Sequence, residues 1–93
     1  MKTIKITIEF WKEGDLVLAR CPELDMVGQG DSLEQAKRNL LEVVEIQFEE
    51  MKELGTLEEF LLEAGYTSKD EIMESEKEII GFDKSFVCLE NVA

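Results

Sequence analysis

Ala19-Arg20-Cys21-Pro22-Glu23-Leu24, followed by Gly28-Gln29-Gly30-Asp31-Ser32 and an apolar-periodic run from Leu33, sets the order of the elements. Pro22 brings no amide to a sheet ladder and restricts Cys21 to extended geometry, so a strand is predicted to end there. Gly28 and Gly30 predict a turn, because glycine takes backbone angles closed to other residues. Ser32 is placed to cap a helix, and Gln35, three positions on, completes a capping box. The joints therefore order three strands and then a helix within the first half of the chain.

Upstream, Ile4, Ile6, Ile8 and Phe10 alternate with Thr3, Lys5, Thr7 and Glu9, which predicts one half-buried strand over Lys2 to Trp11. Lys12-Glu13-Gly14-Asp15 closes a hairpin onto a second strand, Leu16 to Cys21. Met26 to Gln29 forms a short third strand, making an antiparallel meander. Downstream, Leu33, Ala36, Leu40, Val44, Phe48 and Met51 give one apolar stripe, so a helix is predicted from about Leu33 to Leu54. Val43 and Ile46 widen that stripe, enough to admit a second helix or a second subunit.

Gly55 is a helix stop, and Thr56 with Glu59 repeats the capping-box pattern ahead of a short helix from Leu57 to about Ala64. Leu57, Phe60, Leu61 and Ala64 are its inward residues. Tyr66 to Glu78 is highly charged and reads as an irregular or partly helical connection. From Glu78 onward, Ile79, Ile80, Phe82, Phe86, Val87, Cys88 and Leu89 supply strand-forming residues for a final strand. The expected fold is α+β: a small antiparallel meander, a long helix packed on one face, a second short helix, and a final strand returning to the sheet (β-β-β-α-α-β).

The same order and spacing resembles the HicB-like antitoxin domain. The matching residues are Val17 and Ala19 along a strand, Cys21-Pro22-Glu23-Leu24, Gln29-Gly30-Asp31-Ser32, and the helix from Leu33-Glu34-Gln35-Ala36 through Asn39-Leu40. The likeness covers about residues 2 to 55. Asp25-Met26-Val27 departs from it, since many members carry a Pro-Gly-Cys turn after the leucine. The length sets a single domain over 1-93, and the resemblance implies a last strand joining the first. It also implies an antitoxin that occludes a small basic HicA-type ribonuclease toxin, and an oligomer, commonly a dimer. Many members add a C-terminal helix-turn-helix or ribbon-helix-helix module; none is read in these 93 residues, so no operator binding by this chain alone is expected. The alternative reading is a stand-alone oligomeric regulatory or small-ligand-binding domain that shares the fold.

The charge agrees with a protein partner. The chain has 22 acids against 10 bases, a net charge of −12, and residues 42 to 78 hold 13 of those acids and 3 of the bases. Such a surface repels phosphate backbones, so direct nucleic-acid binding is disfavoured. It is either a solvated face or a surface that steers a basic protein. Under the resemblance, Glu45, Glu49, Glu53, Glu58 and Glu59 carry part of that attraction. Trp11, the only tryptophan, is either a strand-end aromatic covering its own domain or a contact residue.

Catalysis finds little support. With no histidine, neither a Ser-His nor a Cys-His nucleophile pair exists. Most carboxylates fall at helix positions away from the apolar stripe, where they lack the burial that tunes an acid. Cys21 and Cys88 are far apart, start no zinc site, and read as small buried hydrophobes in strands. The expectation is no enzyme, no cofactor and no metal. No apolar run is long enough for a membrane span or a secretory leader, which places the protein in the cytoplasm without a membrane partner.

Overall fold

The computed structural model describes residues 2–91; Met1, Val92 and Ala93 lie outside the described residues. In chain order the strands and helices are β1 (Thr3–Ile4), β2 (Glu9–Glu13), β3 (Leu16–Cys21), β4 (Met26–Gly30), α1 (Leu33–Leu54), α2 (Leu57–Glu63), β5 (Tyr66–Lys69) and β6 (Ile72–Ser75), followed by a 3₁₀ turn at Leu89–Asn91. Two three-stranded sheets result, one ordered β2-β3-β4 and the other β1-β6-β5. The fold is α+β, with the antiparallel meander, the long helix, the short helix and a last strand that joins the first.

The meander follows its local chemistry. Gly14, at φ 60, leads the two-residue turn between Glu13 and Leu16, and the β2–β3 register pairs Phe10 with Ala19 and Trp11 with Leu18. β3 ends at Cys21, immediately before Pro22. The chain then returns at Met26, opposite Cys21. Val17, Ala19 and Cys21 alternate as the buried face of β3, and Met26, Gly28 and Gly30 do so in β4.

Gly28 and Gly30 require a correction to the sequence reading. They form no turn, and neither has a positive φ; both lie inside β4. Their missing side chains are needed for a different reason. A Cβ on Gly28 would meet the Leu40 backbone, with Cα at 2.6 Å, and one on Gly30 would meet the Ala36 amide nitrogen at 2.8 Å. Helix α1 thus rests on bare strand backbone. Ala36, Leu40 and Val44 sink into the sheet there and join Val17, Ala19, Cys21, Leu24, Met26, Leu61 and Tyr66 in one core.

The ends of α1 are chemically fixed. Ser32 Oγ accepts from Gln35 N at 3.1 Å, and Gln35 Oε1 accepts from Asp31 N at 2.6 Å, one residue upstream of the usual capping box. Gly55, at φ 74, terminates the helix: its amide donates to Lys52 O, and the Thr56 amide donates to Met51 O. Thr56 does not cap α2 with its side chain as the sequence suggested; its hydroxyl donates to Met51 O instead. Leu57, Phe60, Leu61 and Ala64 do face the core.

Three further expectations change. The continuous strand over Lys2 to Trp11 is broken, because residues 5–8 leave the ladder between β1 and β2. The charged stretch after Tyr66 forms the β5–β6 hairpin, turned at Asp70 with φ 56, rather than an irregular link. The final strand is β6, parallel to β1 with Thr3 opposite Ile72, and not the segment from Glu78 onward. Residues 78–88 have no regular secondary structure and are exposed. Cys88 is therefore exposed, whereas Cys21 is buried; both are free thiols.

Candidate protein-binding surfaces

Glu45, Glu49 and Glu53 recur every four residues and so stand on one ridge of α1, opposite the buried Ala36, Leu40 and Val44. All three are exposed, as is the adjacent Glu42. Across the Gly55 turn, Glu58 and Glu59 are exposed in the first turn of α2, where the helix dipole favours them. Among the described residues no ion pair engages any of these six acids. The pairs present lie elsewhere, with Arg20 joined to Glu9 at 3.2 Å and Asp25 at 3.0 Å, and Glu74 reached by Lys5 and Lys69 at 3.8 Å. Like charges four residues apart cost a helix roughly 0.2–0.5 kcal/mol per pair. Among the described residues no salt bridge relieves that repulsion, although Arg38 lines a shallow pocket with Glu42 and Glu45 and Lys52 stands about one turn from Glu49.

Trp11 sits on a different surface. Phe10 shares the helix-facing side of the meander with its partner Ala19, so Trp11 and its partner Leu18 point the other way. Trp11 is 36% exposed, its indole nitrogen donates to Glu13 Oε1 at 3.1 Å, and Leu16 and Val27 are also exposed on strands of this sheet. The structure does not bring Trp11 to the glutamates; the sheet lies between them.

Between the sheets, Thr7, Cys21, Glu23 and Tyr66, none of them a candidate site residue in the sequence, form a polar knot. The Thr7 amide donates to Glu23 Oε1 at 3.0 Å, and the Thr7 hydroxyl donates to Glu23 Oε2 at 2.6 Å. The Cys21 thiol donates to Glu23 Oε1 at 3.4 Å. Tyr66, 1% exposed, donates its hydroxyl to Lys5 O at 3.0 Å. Glu23 and Tyr66 thus serve Thr7 N and Lys5 O within the break, while the Lys5 amide still donates to Met73 O. Burial alone would raise the Glu23 pKa, but the Thr7 hydrogen bonds outweigh it and hold the carboxyl below its ordinary range. Burial pushes the Cys21 thiol up to about 11 and raises the Tyr66 phenol, so both stay protonated. The partners are 16 and 61 residues apart, beyond any local motif.

A cleft of about 510 Å³ opens beside the knot, lined by Lys5, Thr7, Glu23, Lys69, Glu74 and Ile79 among others. The Lys5–Glu74 and Lys69–Glu74 pairs and the Thr7–Glu23 bonds engage Lys5, Lys69, Glu74 and Glu23, and Glu76, Lys77 and Glu78 complete its charged lining. Among the described residues no cluster of acids and thiols is spaced to hold a metal ion, and no helix is long and apolar enough to cross a membrane. The chain is thus an α+β protein with one acidic helical surface and one part-apolar sheet surface. No family model, no curated protein and no solved structure matches it.

Proposed function

We propose that this chain is a HicB-like antitoxin, which binds a small basic ribonuclease toxin in the cytoplasm and covers its RNA-seeking surface without chemistry of its own. The observation that supports this most is the ridge of Glu45, Glu49 and Glu53 with Glu58 and Glu59, exposed and without an ion pair among the described residues. A cationic partner relieves the repulsion along that ridge, and complementary fields accelerate the encounter. A surface of this sign repels RNA itself, so the chain meets the toxin and not the toxin's substrate.

The test starts with the tagged chain and its native lysate at low salt. One small basic protein should be retained at near-equal stoichiometry, and adding the purified chain should suppress that protein's ribonuclease activity. The triple substitution Glu45→Lys, Glu49→Lys, Glu53→Lys leaves the inner face of α1 untouched. It should weaken the complex at least tenfold and flatten its salt dependence, since exposed charges act through a screened field. A ribonuclease that stays fully active, or an affinity indifferent to the triple substitution, would sink the proposal.

A further inference from the structure

We propose that two copies of this chain exchange residues 79–89, each pairing the start of that segment with the open β2 edge of the other and carrying the rest of it past the end of that edge. The segment stands away from its own body. Ile80 is 91% exposed, Phe82 92% and Phe86 103%, with Val87 and Leu89 also exposed. The Cα radius of gyration is 16.2 Å, against roughly 12 Å for a compact domain of this length. Yet the composition is that of a strand: Ile80, Phe82, Phe86 and Cys88 fall on alternate positions, interrupted only by Lys84.

The complementary vacancy is β2. It pairs with β3 on one side only, so the other edge of Glu9–Glu13 offers unpaired amides and carbonyls, with Phe10 and Trp11 exposed on its two faces. The β1–β6 register sets Thr3 opposite Ile72 and Ile4 opposite Met73. Counted on by sequence offset alone, the same spacing sets Glu78–Phe82 against Glu9–Glu13. Within one chain the two do not meet. After Ser75 the backbone bends at residues 76–77, where the Lys77 amide bonds Ser75 Oγ at 3.2 Å, and the segment departs. Each copy thus has one stranded segment and, in β2, one of its open sheet edges, and a two-fold exchange satisfies both.

Charge disfavours the α1 ridge as the contact between copies. The α1 ridge repels its own duplicate, while residues 79–91 carry only Asp83 and Glu90 against Lys84. Area is adequate as well. Phe82 and Phe86 alone bring roughly 300–500 Å² per chain. Two segments, with the surfaces they cover, reach the order of the ~1,600 Å² of a standard interface. The exchange does not depend on a toxin.

Sedimentation equilibrium of the full chain should give twice the 10.7 kDa chain mass, and Phe82→Asp with Phe86→Asp should raise the dimer dissociation constant at least tenfold. A monomer, or a dimer unchanged by the double substitution, overturns the proposal. A second measurement needs no core change. Cys88 is exposed and Cys21 buried, so a nitroxide attaches selectively at Cys88. In a mixture of spin-labelled chain and ¹⁵N-labelled chain, the amides of Glu9–Glu13 should broaden. Broadening absent from β2, or seen only within the labelled chain itself, overturns the exchange.

Discussion

The seam between β4 and α1 and the segment 79–89 are built from the same kinds of residues, with opposite results. At the seam, Leu40, Ala36 and Val44 are buried because Gly28 and Gly30 let a helix backbone settle on a strand backbone. In the segment, Phe82, Phe86 and Leu89 are just as apolar and remain in solvent. Apolar character supplies the driving force, but a surface cut to receive it decides whether burial occurs. The seam's receiving surface lies twelve residues away in sequence at Gly28 and Leu40. Nothing within the described chain receives the segment.

The sharpest way to break this contrast is Gly28→Ala. The added methyl has backbone atoms of Leu40 in its place, which cannot rotate aside. A loss of about 3 kcal/mol of unfolding free energy is expected in urea denaturation, near the upper end for an overpacked core. A loss below about 1 kcal/mol would show that the seam tolerates separation. An intermediate effect belongs to the knot that joins the sheets. The folded Glu23 pKa lies below the unfolded value, so its contribution is present above about pH 4.5 and lost as pH falls through the folded pKa. Glu23→Gln should cost about 1 kcal/mol at pH 7, and the gap from the parent should close as pH falls below about 4.5. A gap constant with pH would mean the carboxylate charge is irrelevant there. The smallest effect is expected in the segment. Phe86→Ala, followed by thermal or urea unfolding at dilutions where the chain is monomeric, should stay within about 0.5 kcal/mol.

What the sequence revealed follows the range of the chemistry. Pro22 ending a strand, Ser32 with Gln35 starting a helix and Gly55 stopping it are interactions among near neighbours, and each was readable. Gly28 and Gly30 read locally as a turn, because the helix that needs them bare arrives from residues 36 to 40. Tyr66 reaching Lys5 O and Glu23 reaching Thr7 left no local trace, so one strand was expected where two stand. The charged run 66–75 concealed a hairpin whose buried residue is Tyr66 alone. The strand preference of 79–89 was legible, but propensity does not supply a partner. Of the candidate contact residues, the exposure of Glu45, Glu49 and Glu53 followed from the helical stripe. The separation of Trp11 from them followed from alternation along β2 and β3.

The parallel pairing of β1 with β6 sets Thr3 beside Ile72, about three quarters of the described chain apart. The meander and α1 close only short loops, each with a modest loss of chain entropy. The β1–β6 pair must close the largest loop available, a cost that grows with the logarithm of its length. Assembly therefore has an economical order, with the meander and α1 forming first and β1 docking onto an existing β5–β6 hairpin. In the interval before that docking, the amino-terminal strand and the carboxy-terminal segment are both at large, and a neighbouring chain emerging at the same time competes for either one.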